Sequence, residues 1–463
     1  MRAAWLLLAA VSVPLALLAV GRWLWALAQH GPVLYGEGAV AHAALLARSG
    51  LEYGPYNSYA AVGDPIFVAA NYPPLYFHLA AAGDPFVTGR ALSIAATLFV
   101  AGAIAYRARG GGGMVAAALA ASWLACAPVA IWGAAVKPDL VALALIVGAV
   151  LALDARRAAL AGALAALAVW TKPTEALPAL ALAIYILATW RRGATRFAGS
   201  AAVALAIAAL LTHLPDAAMF EHVVTFNALD WHADQAFLLA VLGVLVAGAS
   251  LVALGVIRPR DAVGAYAIGA VGVVALGGRD GATINYLLDL LTASWLAMAA
   301  VVPLRTTRLL PIAIVAQTLV AIALLDPLGI LPGRAISTGA WEPAGRTAVI
   351  LQIPGVGTID RGPLLVEDSG LLVATGRSPQ VDDLFLWSRL QERRTDARLV
   401  PDRLIIAVRD GAFIAIVSES DLAHLDAAPL WARQRWHPTL VSAVLDRYKL
   451  DHSENGLFIY MPR

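Results

Sequence analysis

Apolar residues fill the first two thirds of the chain in long runs, separated by short polar segments rich in Arg, Gly and Pro. The runs cover 4–28, 88–106, 114–134, 139–153, 158–171, 174–190, 197–214, 235–257, 262–277, 284–303 and 309–325. A helix rises ~1.5 Å per residue and a bilayer core is about 30 Å thick, so the longer runs are long enough to cross it. Shorter ones such as 158–171 reach only ~21 Å and need shelter from their neighbours. The pattern predicts an all-α polytopic membrane bundle of about 11 spans. Met1-Arg2 and the apolar run ending at Ala26-Leu27-Ala28 look superficially like a signal peptide. The run exceeds an ordinary signal h-region and carries Arg22 near its far end, so it is expected to be retained as a span.

Beyond Leu325 the pattern changes. Segment 326–463 is rich in charge and turn residues, with strand-like runs at 348–353, 364–366, 370–375, 403–408, 412–417 and 456–460. Helical spacing recurs at 380–393 and 438–449. The chain therefore divides into a transmembrane part, 1–325, and a small soluble α/β domain, 326–463. Between the first two spans, segment 29–87 is more than a linker. Residues 37–48 have the apolar spacing of a helix lying on a membrane surface, and Pro73-Pro74 opens a second short helix over 73–82. Turns are expected at Tyr53-Gly54-Pro55 and Gly63-Asp64-Pro65.

Composition agrees. Apolar residues make up 60% of the 463 positions and only 14% are charged, with mean hydropathy +0.74. A net charge of +2 gives no basic surface for nucleic acid. Cys126 is the single cysteine, which excludes a disulfide framework and a thiolate metal site.

The basic residues set the orientation. With the N-terminus in the cytoplasm, the inner segments hold Arg2, Arg107, Arg109, Arg156, Arg157, Arg191, Arg192, Arg196, Arg258, Arg260, Arg305 and Arg308. The outer segments before the tail hold only Arg48, Arg90, Lys137, Lys172 and Arg279, with Arg22 at the edge. This is the positive-inside bias, and it puts the C-terminal domain on the periplasmic or extracellular side. High Ala and Arg content points to a GC-rich bacterium, hence its inner (plasma) membrane. Acidic residues collect at the opposite, outer face, among them Glu37, Glu52, Asp84, Asp139, Glu175, Asp280 and Asp289. Acids contribute little to topology, so their clustering calls for a chemical reason.

Four outer segments supply one: Gly36-Glu37-Gly38, Lys137-Pro138-Asp139, Thr171-Lys172-Pro173 and Asn285-Tyr286. They place two carboxylates and two ammonium groups at one depth. A carboxylate could take a proton from an acceptor, while cations steady a departing phosphate. Each also has a structural reading. Glu37 and Asp139 suit helix N-termini, Lys172 could snorkel to the headgroups, Arg279 could pair with Asp280, and Asn285 and Tyr286 could serve as a cap and an interfacial aromatic. His42, His78, His222 and His232 show no ligand spacing.

The series Tyr35-Gly36-Glu37, Arg48-Ser49-Gly50, Tyr72-Pro73-Pro74-Leu75-Tyr76 and Lys137-Pro138-Asp139 resembles the GT-C superfamily of polytopic glycosyltransferases. The resemblance is to the branch holding protein O-mannosyltransferases and lipid A aminoarabinose transferases. It covers the membrane half well and the tail only by position. It implies a polyprenyl-phosphate-linked sugar donor and a lipid, glycan or protein acceptor. It further implies inverting hexosyl or pentosyl transfer at the outer face. Glu37 then matches the proposed general base and Asp139 the second acidic residue, which shapes the site or helps hold a divalent cation. Tyr72 stands where that branch often has Lys, so gripping the donor phosphate passes to Lys137, Lys172 and Arg279. Asn285 and Tyr286 become donor contacts. Two other classes compete: a lipid or polysaccharide transporter or flippase, and a non-catalytic envelope assembly protein that uses the tail as its binding module. No internal repeat is visible, and the polar residues gather at one face and not at mid-membrane, which favours an enzyme.

Overall fold

In the computed structural model the described residues are 2–53, 65–212, 217–254, 261–301, 309–325, 343–354, 362–393 and 402–463. Arg258, Arg260, Arg305 and Arg308, and the turn residues Gly54-Pro55 and Gly63-Asp64, lie outside them.

The apolar runs become helices. Helix α1 (Arg2–Leu27) leads into the short α2 (Glu37–Ala47) and α3 (Leu75–Ala80), then α4 (Pro85–Ala108). Run 114–134 is split into α5 (Gly113–Leu124) and α6 (Ala127–Trp132). Pro128 explains the break: it has no N–H to donate to the carbonyl of Leu124 four residues back and its ring crowds that carbonyl, whereas the first turn of a new helix tolerates it. There follow α7 (Asp139–Asp154), α8 (Ala158–Val169), α9 (Ala176–Thr189), α10 (Arg191–Leu211), the single turn α11 (Ala217–Phe220), α12 (Ala233–Leu254), α13 (Ala262–Ala275), α14 (Leu288–Val301) and α15 (Leu309–Leu325). Among the described residues, five helices are long and apolar enough to cross a membrane by themselves, and shorter apolar helices pack among them.

Alanine and glycine let these helices approach closely: α7 against α8 and α4, α8 against α10, α1 against α5, and α9 against α13. A Cβ on Gly162 would lie 2.1 Å from the Phe197 carbonyl oxygen, so α8 and α10 are in backbone contact there. Val203, Ile207, Leu210 and Leu211 of α10 stay exposed, a surface suited to lipid tails and not to water. Asp84 opens α4, accepting from Phe86 N and Val87 N at 2.9 and 3.0 Å.

Helix α2 departs from the surface-lying helix expected for 37–48. It is buried on almost every face, between α3 and α4 on one side and a helix of the tail on the other. A Cβ on Gly38 would lie 2.1 Å from Gly370 N, a contact that only glycine permits.

The tail carries a four-stranded sheet in the order β1-β2-β4-β3: β1 (Leu364–Val366), β2 (Ala415–Ser418), β3 (Tyr448–Glu454) and β4 (Leu457–Pro462). β1 and β2 are parallel and the other pairs antiparallel. Its helices are α16 (Pro343–Gln352), α17 (Gly370–Ala374), α18 (Leu384–Arg393), α19 (Asp402–Arg409), α20 (Leu430–Arg435) and α21 (Pro438–Arg447). Thus 348–353, 370–375 and 403–408, expected as strands, are mostly helical. In and just before the first of these, Arg346, Val349, Ile350 and Ile353 are buried, a spacing with helical period. The expected helix over 438–449 stops at Arg447, and strand β3 begins at once.

Candidate active site

Loops 28–36, 133–138, 170–175 and 276–287 meet at one end of the bundle, beneath the tail domain. Glu37 begins α2 there, after Gly36 in the left-handed conformation at φ 77°. Its side chain is fully buried, and both carboxylate oxygens are occupied. Oε2 accepts from Val33 N and Arg90 Nη2, both at 2.7 Å, and from Leu34 N at 3.3 Å. Oε1 accepts from Val136 N at 2.8 Å. Arg90 is itself 0% exposed; it also donates to the carbonyls of Ala26, Gln29 and Gly31 as the chain leaves α1. That saturation differs from what a base needs: a lone pair aimed at the acceptor. In this arrangement Glu37 and Arg90 instead fasten the loop after α1 to the loop before α7.

That second loop carries Lys137 and Asp139. Lys137 Nζ donates to the Gly36 carbonyl at 2.7 Å, and it pairs directly with no carboxylate among the described residues. Burial pulls its ammonium below the ordinary lysine range, while Asp383, Asp139, Glu37 and Asp368, in that order, push back. Asp139 heads α7. Its Oδ1 accepts from Lys172 Nζ and Asn285 Nδ2, each at 2.8 Å, and its Oδ2 is buried without a partner among the described residues. Lys172 loses solvation on burial, but Asp139 and then Glu175 hold it firmly protonated, and it faces the Tyr286 ring at 5.3 Å.

Arg279 donates to Tyr286 Oη at 2.8 Å and to the Asn227 carbonyl at 2.7 Å, leaving its Nε buried and unpartnered among the described residues. Asp280 does not take it up; it pairs with His232 at 3.2 Å. Burial raises the Tyr72 phenol well above its usual range, helped by Asp139 and opposed by Lys172 and Arg279, so Tyr72 belongs to the same cluster. The structure thus gathers Asp139, Lys172, Asn285, Tyr286, Arg279 and Tyr72, with Lys137 beside them and Glu37 behind.

Glu175 and Asp289, buried next to Lys172, also belong to this region; Tyr266 Oη donates to Asp289 at 2.9 Å. The sequence marked both only as outer-face acids, and Arg90 only as a basic residue there. Among the described residues no group of three or more His, Cys, Asp or Glu side chains could hold a metal ion. Just below Asp139, a groove of about 550 Å³ between α4, α7 and α8 runs from Val141 to Arg157, lined by Leu92, Phe99, Leu145 and Leu164.

A helical membrane bundle, with charged loops converging under a small α/β domain, is the fold of this chain, and the same fold is found in a solved structure. The particular solved likeness is ArnT from Cupriavidus metallidurans. Its crystal structure bound to undecaprenyl phosphate superposes with a TM-score of 0.57, covering 98% of both chains at 15% identity. Its apo structure gives 0.58, covering 97% of both at 14% identity. At such identity the likeness is one of fold. No family profile and no curated protein matches the sequence.

Proposed function

We propose that this chain is an inverting glycosyltransferase of the bacterial inner membrane, moving a sugar from a polyprenyl-phosphate carrier to an acceptor at the outer face. The observation that carries the reading is a pair of site cations, Lys137 and Arg279, that have no carboxylate partner among the described residues and flank the Asp139–Lys172 pair. In a low-dielectric pocket such cations favour a phosphate ester, and more so the charge it gains as the sugar leaves. Asp139 aims Lys172 and Asn285, while Glu37 holds Lys137 in place through Val136 and Gly36. Tyr72 and Tyr286 supply rings and hydroxyls at the sugar. The apolar groove below Asp139 takes the polyprenyl tail; from Val141 to Ala152 it follows ~17 Å of α7. ArnT, whose fold the chain shares, has been crystallised with undecaprenyl phosphate, which supports a donor of that class.

The test is turnover of undecaprenyl-phosphate-linked pentoses and hexoses by the purified protein in lipid nanodiscs, with a panel of lipid, glycan and peptide hydroxyl compounds as acceptors. The wild type releases undecaprenyl phosphate. Asp139→Asn, which leaves Lys172 without its counter-charge, lowers turnover by about 10²-fold or more. Equal turnover in the variant, or none in the wild type with any donor, removes the reading.

A further inference from the structure

The proposed reaction needs a proton acceptor, and the two carboxylates marked by the sequence are poorly placed to be one. Both Glu37 oxygens are taken, and the free oxygen of Asp139 is sealed from solvent. Two further carboxylates act on Lys137, Asp383 and Asp368, both from the tail domain. Asp368 is buried and accepts from Gly370 N. Asp383 alone of the four is half-buried, with one oxygen accepting from Leu386 N at 2.9 Å and the other without a hydrogen bond among the described residues.

The backbone around Asp383 is fixed to the membrane part on both sides. Before it, Phe67 N donates to the Gln380 carbonyl at 2.9 Å, and Asp382 N to the Phe67 carbonyl at 3.2 Å. Asp382 accepts from Ala69 N at 2.9 Å and lies 3.4 Å from His42. After it, Phe385 N donates to Tyr35 Oη at 3.2 Å, and Tyr35 adjoins the Gly36 carbonyl that holds Lys137. The anchoring residues come from segments 35–42 and 67–69, so Asp383 is carried with the membrane site and not with the tail alone.

We propose that Asp383, delivered by the C-terminal domain, is the general base of the transfer, so that the tail completes the active site. This rests on the glycosyl-transfer reading above. The acceptor is then a hydroxyl compound arriving from the aqueous side. Its oxygen bonds to the anomeric carbon as the carbon–oxygen bond to phosphate breaks. The electron pair leaves on the polyprenyl phosphate, held by Lys137 and its neighbours, and the hydroxyl proton passes to the free Asp383 oxygen. The charged and titratable groups facing Asp383 are Lys137, Asp382, Arg435 and Tyr35. Burial lifts its carboxyl to about 6, against the pull of Lys137 and Arg435, which suits a base working near neutrality.

The experiment uses full-length protein in nanodiscs, with undecaprenyl phosphate as binding probe and undecaprenyl-phosphate-linked sugars as donors. Asp383→Asn keeps an oxygen for Leu386 N and should still bind undecaprenyl phosphate within threefold of wild type. Its kcat should fall about 10²–10⁴-fold with donor KM little changed. Asp383→Ser, which can also accept from Leu386 N, should behave alike, and wild-type turnover should fall off below about pH 6. If wild type turns donor over and either variant keeps kcat within threefold, or loses undecaprenyl phosphate binding together with turnover, Asp383 is not the base while the transfer reading stands. No donor turnover by wild type defeats the transfer reading itself.

Discussion

Arg90 shows how a single residue organises this site. A guanidinium with no exposed surface carries a large desolvation penalty; here both Nη atoms are engaged, by one carboxylate and three carbonyls, while Nε has no partner among the described residues. Removing it strands Glu37 as a buried, unpaired charge. Arg90→Met is therefore expected to destabilise the protein by ~3–5 kcal/mol, read as a lower melting temperature in detergent. Only a small shift would mean that the pair is not the clasp described. Asp368 offers a pH test. Burial, and then the nearby charge of Glu419, lift its carboxyl to about 7. A raised folded-state value favours the protonated form. Its stabilising contribution is thus complete below the ordinary carboxylate range and is lost as pH rises through about 7. The melting temperature should fall between pH 5 and 8, and less so in Asp368→Asn, which keeps the acceptor for Gly370 N. Identical slopes in the two proteins would contradict this.

At the scale of elements, the junction between α2 and α17 decides whether the tail sits on the site. Gly38→Ala would drive a methyl into the Gly370 backbone, an overpacking worth ~1–3 kcal/mol. Limited proteolysis should then release tail fragments faster than from wild type, whereas Gly199→Ala, with open space around it, should leave the rate unchanged. Equal rates for Gly38→Ala and wild type would show that the contact does not hold the tail. The apolar helices were legible because an apolar run in a membrane protein has few alternatives; among the described residues the proline break before α6 and the 3₁₀ turn at Ile284–Leu287 escaped that pattern. The tail was harder to read. Helix α19 buries Leu404, Ile405 and Val408, which in so short a β-branched run look like a strand. β3 is a polar edge strand, exposed at every residue after Tyr448, and so carries no alternating signal. Within the site, Asp139, Lys172, Asn285, Tyr286 and Arg279 stood out because each lies where a span meets a loop. The Arg90–Glu37 clasp and the approach of Asp383 depend on pairings between remote segments, which no local spacing encodes.

For the whole molecule, the arrangement is a membrane bundle whose site end is closed by the small α/β domain, anchored to it through Tyr35, Gly38 and His42. The lipid-facing groove and the charged loops are contiguous along α7: the tail of a lipid donor can lie in one while its phosphate reaches the other. In the proposed reaction Lys137 and Arg279 hold that phosphate. The most direct measurement is the affinity of the purified protein, in nanodiscs, for undecaprenyl phosphate. Charge-assisted hydrogen bonds are worth ~1.5–3 kcal/mol each, so the double variant Lys137→Ala/Arg279→Ala should bind at least ~10²-fold more weakly than wild type. Arg107→Ala, at the opposite end of the bundle beside Asp154, should bind as wild type does. A double variant that binds as tightly as wild type, or a wild type that does not bind at all, would contradict the account.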